Sequence, residues 1–276
     1  MAMNPQSISR SVVLPAYNEE GYIAEMVGRC VRVMEKHEDP FEIIVVDNCS
    51  TDSTAAIVDR LHQDDSRIRV IRHETNKLYA GSCQTGADNA TGDRIFILDS
   101  DGQIDPEEIW KFDAGLDEGN DIVFGRRVER GDPRARLLVS KIFWLHARIL
   151  IGYQLHDVNT GIRAMNRRFA EYLHLEHRIN LANPEMYVQA KIGNFRIGEV
   201  SIRQHERQAG VSSHQFAKLW DIETTVAKHL WSLRKTLKAA AKSSASKGSA
   251  LTAKSSSVKS SFSKTSASTE TQSASK

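Results

Sequence analysis

Cysteine is scarce. Cys30, Cys49 and Cys83 are the three in 276 residues, far apart and with no Cys-x-x-Cys pair. That excludes a disulfide scaffold and fits a reducing compartment. Long apolar runs are also missing. A membrane-spanning helix needs about 18 such residues, and the greasiest stretch, Leu137 to Tyr153, is broken by Lys141, His146 and Arg148. The first ten residues lack a basic region followed by an apolar one, so no secretory signal is expected. A dominant charge is lacking as well. The formal net charge is +2, and seven lysines against one glutamate from Lys238 onward leave the preceding residues at −4. A mildly acidic body offers no general case for binding nucleic acid.

What is present is length enough for one large α/β core and a regular alternation of strands and helices. Ser11–Pro15, Glu42–Asp47, Ile68–Ile71, Arg94–Leu98 and Asp121–Phe124 are short apolar strands. Helices are expected from Asn18, as N-cap, to about Glu35, then to about His62, over Ala80–Ala90, and from Pro106. The alternation predicts a mostly parallel, doubly wound sheet with right-handed crossovers.

The most informative stretch is Arg94-Ile-Phe-Ile-Leu-Asp99-Ser-Asp101-Gly-Gln103. Four apolar residues run into two aspartates one residue apart. A buried strand does not hold unpartnered carboxylates, so both should emerge at its C-terminal end, where open α/β sheets bind ligands. Residues i and i+2 of extended chain point the same way. Two hard oxygen donors on one side suit Mg²⁺ or Mn²⁺ shared with a diphosphate; the plainer use is an Asp-rich turn. A calcium loop does not fit, because Gly102 at its sixth position puts Ile97 at the first and a strand where a helix is needed. Two more strands end in Pro15-Ala-Tyr17 and in Asp47. Tyr17 can stack on a base or simply pack on the rim, and Asp47 can accept from a nucleoside or cap the next helix.

The motifs Val-Val-Leu-Pro15-Ala-Tyr17-Asn18-Glu19, Val-Val46-Asp47-Asn48-Cys-Ser50-Thr-Asp52-Ser-Thr54 and Asp99-Ser-Asp101-Gly-Gln103 resemble the signature set of inverting family 2 glycosyltransferases, over about residues 10 to 215. Within that family the chain is most similar to the polyprenyl-phosphate hexosyltransferases. The resemblance implies a GT-A (Rossmann-like) fold, with a glycosyltransferase domain over 1–214. It implies that Pro15, Tyr17, Glu19, Asp47, Asp99 and Asp101 bind a nucleotide sugar, and that Asp99, Asp101 and Gln103 hold Mg²⁺ or Mn²⁺. Asn48 and Cys49 stand where many members have aspartate and glycine, which leaves GDP or UDP open.

In the second half, Arg134 to Ile151 is expected as a helix with cations at 134, 141 and 148 on one stripe. Arg136 and Ser140, at i and i+4, can share one phosphate. A solvated basic face is the bland alternative. The resemblance makes Arg127, Arg136, Ser140 and Arg163 the acceptor-phosphate set, with Arg163 closing the loop Asp157-Val-Asn-Thr-Gly-Ile-Arg. It reads Arg207-Gln-Ala-Gly-Val-Ser212 as a loop closing over the diphosphate. Arg207 is then catalytic beside Asp99 and Asp101. Asn183–Lys191 is a capped helix, and Phe195–Val200 and Ser201–Arg203 are short strands.

An amphipathic stripe over 215–238 predicts a helix that packs on the core, on a partner, or on a membrane surface. Residues 239–276, rich in serine, lysine and alanine, are expected to be disordered. The resemblance thus implies a metal-dependent hexosyltransferase, peripherally bound to the cytoplasmic membrane face. Its partners would be a nucleotide-sugar donor and a polyprenyl-phosphate acceptor, with no nucleic acid. A family member with a soluble acceptor, or a non-catalytic partner-binding relative, stays open.

Overall fold

The computed structural model describes residues 8–129, 134–176, 181–204 and 226–240, apart from the side chains of 129 and 134–139. Seven strands form one sheet: β1 (Arg10–Ala16), β2 (Phe41–Asp47), β3 (Ile68–Arg72), β4 (Arg94–Leu98), β5 (Ile122–Glu129), β6 (Ile162–Asn166) and β7 (Ile197–Arg203). Their order is β3-β2-β1-β4-β6-β5-β7. Helices α1 (Ile23–Met34), α2 (Thr54–Asp64), α3 (Leu78–Asn89) and α4 (Ile109–Asp117) alternate with the first five strands. Then come α5 (Arg134–Ile151), α6 (Arg167–Tyr172), α7 (Ala182–Ile192) and a helix over 226–240, α8.

The apolar strands behave as their composition requires. Every residue of β2 is buried, as are Ile95 to Leu98 of β4. Helices cover both faces, so these strands read as continuous rather than alternating apolar runs. The expected parallel pairing holds for β1 with β2 and β4, β2 with β3, and β5 with β7. The exception is β6, which runs antiparallel between β4 and β5. Its residues Ile162 and Arg163 were expected in a loop, and the two short strands after Phe195 are one, β7. The helix expected from Asn18 starts at Ile23. Asn18 is in the left-handed region (φ 55°) and its side chain accepts from the Thr51 amide instead. The turn before α4 is a short 3-10 segment capped by Asp105.

β1 is the pivot. Its ladder with β2 runs to Ala16–Asp47, but its ladder with β4 stops at Val13–Ile97. Pro15 has no amide hydrogen to donate toward β4; its carbonyl accepts from Ser100 Oγ on that side. The two strands therefore part at their C-terminal ends. Strand order also reverses here, with β2 and β3 on one side of β1 and β4 on the other. Such a switch point leaves a crevice.

At the opposite end of the sheet one acid is buried among the strands. Glu42 is 1% exposed and accepts from Ser11 Oγ, Thr91 N and Oγ1, and Arg69. Burial opposes its ionisation, but these donors together hold its carboxyl below the usual range. Its contribution is present above the unfolded glutamate range and is lost as pH falls through the lowered native value.

In α8, His229 and Leu230 are buried, and His229 Nε2 lies 2.7 Å from Glu185 Oε1 of α7. Packing on the core is thus what this stretch of the expected 215–238 helix does, while Trp231 is 49% exposed. Residues 215–225 and the serine-rich tail lie outside the described residues. Among those described, no helix is long and apolar enough to cross a membrane.

Glu42→Ala would strand the buried Ser11 hydroxyl and the part-buried Thr91 donors and leave Arg69 without its carboxylate, at about 1–3 kcal/mol for a buried group left unpaired. The expected outcome is an unfolding free energy, from urea titration, lower by about 3 kcal/mol in total, with the gap narrowing as pH falls below the ordinary glutamate range and the wild-type carboxylate protonates.

Candidate active site

The crevice at the parted strands holds about 340 Å³ and is lined by Pro15, Tyr17, Glu19, Asp99 and Asp101, with Asn48, Asn76 and Tyr79 among the rest. Three stretches chosen from sequence for nucleotide binding thus meet in one place. Tyr17 stands at the rim with 47% of its surface exposed. Asp47 is buried and is not among the lining residues; its Oδ1 accepts from the Ser50 amide and Arg72 Nε approaches it to 3.8 Å.

The rim is built by cross-loop bonds. The Asn18 amide donates to Ser50 Oγ, the Glu19 amide to Thr54 Oγ1 (2.8 Å) and the Glu20 amide to Asp52 Oδ2, while the Ser53 amide donates back to Glu20. The loop after β1 is thereby fixed to the loop after β2. The far wall hangs on Asn48, whose Oδ1 accepts from the Lys77 amide and bonds His73 Nδ1, and whose Nδ2 donates to Asn76. Cys49 (φ 63°) and Leu78 (φ 61°) both adopt left-handed backbone on this rim. That costs a non-glycine residue roughly 1–2 kcal/mol, and such strain concentrates where a site is held in place.

The floor is a charged relay. Tyr79 donates to Asp99 Oδ1 at 2.5 Å and accepts from Arg163 Nη2, which itself lies 3.8 Å from that oxygen. Arg163 is 1% exposed and also donates to Asn183 Oδ1; Asn183 in turn donates to the Thr160 carbonyl. Arg163 was expected at the acceptor phosphate. Instead it lies beneath Asp99 as a buried counter-charge, because β6 pairs with β4 and sets Arg163 opposite Ile97, two residues before Asp99. Tyr79 and Asn183 had no sequence signal for this role; only pairing through β6 brings them to the aspartate.

Asp99 keeps 34% of its side chain on the crevice, with protein on its other sides. Desolvation pushes its carboxyl up to about 6; Arg163 pulls it down, Asp101 pushes it up again, and the Tyr79 hydrogen bond lowers it. Burial holds the Tyr79 phenol well above its ordinary value, so it remains a donor. Asp101 Oδ1 accepts from the Gln103 amide. The Asp99 amide donates to the Gly161 carbonyl, and a Cβ at Gly161 would lie 2.1 Å from Asp99 Oδ2. Glycine is required there by close approach, not by backbone angle.

Arg127, also expected at the acceptor phosphate, is not among the residues lining the crevice. Arg127 is paired to Asp157 through Nε (2.6 Å) and Nη2 (2.9 Å), and also bonds Gln204. Ser140 and Arg136 fall on α5, where the Arg136 side chain lies outside the described residues, as does the Arg207–Ser212 loop.

Residues 11–173 match the model of glycosyl transferase family 2. The chain belongs to that family. A curated relative, undecaprenyl-phosphate 4-deoxy-4-formamido-L-arabinose transferase of Salmonella choleraesuis, is 31% identical over 76% of this chain. The chain spans 63% of that relative's length. Among solved structures, glucosyl-3-phosphoglycerate synthase from Mycobacterium tuberculosis, in complex with Mn²⁺, UDP-glucose and phosphoglyceric acid, aligns with TM-score 0.60. The match covers 82% of this chain and 80% of that one at 20% identity, which is a likeness of fold.

Two outcomes are expected. Gly161→Ala should displace the Asp99 carboxylate and weaken nucleotide-sugar turnover by about a hundredfold, the scale of an ångström-sized misplacement, while circular dichroism stays native. Carboxyl ¹³C titration should place Asp99 near pH 6 and Tyr79→Phe should move it higher, since a donor to the ionised form is lost. The linked stability has the corresponding sign: the extra native proton contributes below the unfolded value and is lost as pH rises through about 6.

Proposed function

We propose that this chain transfers a hexose, with inversion, from a GDP- or UDP-sugar to a polyprenyl phosphate such as dolichyl or undecaprenyl phosphate. The carrying observation is the meeting of Tyr17, Glu19, Asp99 and Asp101 in one crevice at the switch point of the sheet. The lipid acceptor is supported by the undecaprenyl-phosphate relative and by the Arg136/Ser140 spacing on α5. In this reading the chain works peripherally at the cytoplasmic membrane face, in keeping with a lipid-linked acceptor.

A divalent cation fits the donor set. Asp99 and Asp101 repel each other, and Asp101 helps hold the Asp99 carboxyl up; a cation relieves that. Among the described residues no three His, Cys, Asp or Glu side chains gather as a metal site; in this reading the third donor would be the Gln103 amide oxygen. Asp99, Asp101 and Gln103 would hold Mg²⁺ or Mn²⁺, which supplies Lewis-acid charge for the departing diphosphate. Mn²⁺ with UDP-glucose in the mycobacterial structure is in keeping with this.

The protein's own part is placement. Tyr17 and Glu19 seat the nucleoside end, and Tyr79 with Arg163 fixes Asp99. Arg207 closes over the diphosphate, and Arg136 and Ser140 aim the acceptor. A phosphate monoester has a second pKa of about 6, so its oxygen is already anionic at pH 7 and no general base is required. That oxygen forms a bond to the anomeric carbon from the face opposite the leaving group, as the bond to the diphosphate breaks.

A panel of GDP- and UDP-sugars with Mn²⁺, offered polyprenyl phosphate or a soluble phosphorylated acceptor, tests the assignment. The expected product is a β-linked polyprenyl phosphate from an α-linked donor, with Asp101→Ala slower by at least about a thousandfold. Transfer only to the soluble acceptor, or retained configuration, overturns it.

A further inference from the structure

Three of the large apolar side chains that stay in solvent share one helix. On α5, Ile142, Leu145 and Ile149 are 38, 48 and 64% exposed. At 3.6 residues per turn they fall within about 60° of the helix circumference. The opposite side of α5 is inward: Ala147 and Ile151 are buried, and Trp144 Nε1 donates to the Leu155 carbonyl. The outward stripe is therefore not a core face turned the wrong way. It is a second apolar face, left open.

One border is cationic. The sequence of α5, RARLLVSKIFWLHARILI, contains no acidic residue. Lys141 and Arg148, seven residues apart, lie together along one side of the stripe and are exposed, and neither pairs with a carboxylate among the described residues; Arg148 lies over the Trp144 ring at 5.1 Å. A second copy packed on this face by twofold symmetry would set these cations against their own counterparts. An anionic surface would meet them favourably.

We infer that α5 lies in the headgroup layer of an anionic membrane, with Ile142, Leu145 and Ile149 inserted and Lys141 and Arg148 on lipid phosphates. Amphipathic helices of this pattern bury their apolar face about 5–10 Å deep. This deepens the reading of a lipid-linked acceptor and rests on it: Ser140 sits roughly half a turn round the helix from the stripe. A docked α5 would then present its phosphate-binding side toward the protein while its apolar side faces the bilayer.

The test is co-sedimentation of the full chain with phosphatidylcholine vesicles, with and without phosphatidylglycerol. Wild type should bind the anionic vesicles. The Ile142→Ser/Leu145→Ser/Ile149→Ser variant should bind at least about tenfold more weakly, although its lysine-rich tail is intact. Lys141→Gln/Arg148→Gln should lose over about tenfold on anionic vesicles and little on neutral ones. Should the triple variant not fold, Ile149→Ser alone should weaken binding and Ile149→Trp strengthen it. Vesicle binding unchanged by these substitutions overturns the inference. So does a wild-type dimer that the triple variant converts to monomer, or capture of an acidic protein without lipid binding. Polyprenyl-phosphate transfer measured in detergent separates the two readings. Its absence, with vesicle binding intact and sensitive to the stripe, defeats the proposed acceptor alone; its presence, with insensitive vesicle binding, defeats the docking alone.

Discussion

A buried guanidinium facing a half-buried carboxylate governs the active end of this molecule. Arg163 has almost no contact with solvent, and an isolated charge in that position would be very costly. Asp99, reached directly at 3.8 Å and through the Tyr79 hydroxyl, is what makes it tolerable. The dependence is mutual, because the same guanidinium keeps Asp99 from rising further. Asn183 and Thr160 complete the support from the other side. The aspartate pair is thus not a turn that happens to be acidic. Its first member is wired into strands and helices from both halves of the chain.

The rest of the crevice is arranged around that fixed floor. Pro15 ends one ladder early and opens the space. The loops after β1 and β2 are joined by backbone-to-side-chain bonds, so Tyr17 and Glu19 are carried on a braced rim. The strained Cys49 and Leu78 backbones belong to the same rim. This is the pattern expected when a binding site is held in shape before its ligand arrives.

Much of this was readable from the sequence, and for a definite reason. β1, β2 and β4 are fully buried parallel strands or close to it, and such strands announce themselves as short unbroken apolar runs. Their polar terminations, Tyr17, Asp47 and Asp99-Ser-Asp101, then mark the ligand edge by topology alone. What the sequence hid was non-local. β6 has a mixed composition, Ile-Arg-Ala-Met-Asn, and carries a charged residue in its middle, so it reads as loop. Only its antiparallel insertion between β4 and β5 explains why Arg163 belongs under Asp99 rather than at an acceptor. The early helix start assigned to Asn18 failed similarly, since local capping chemistry gave way to a bond across to Thr51.

The central position of β6 also bears on how this enzyme family can be recombined. The first five strands look like a self-contained half, but cutting after β5 would strip β4 of one of its two neighbours and leave Asp99 without its counter-ion. The family match runs to residue 173, just beyond β6 and α6. A chimaera of two relatives that keeps Arg163 with Asp99 has its first seam there, and not directly after β5.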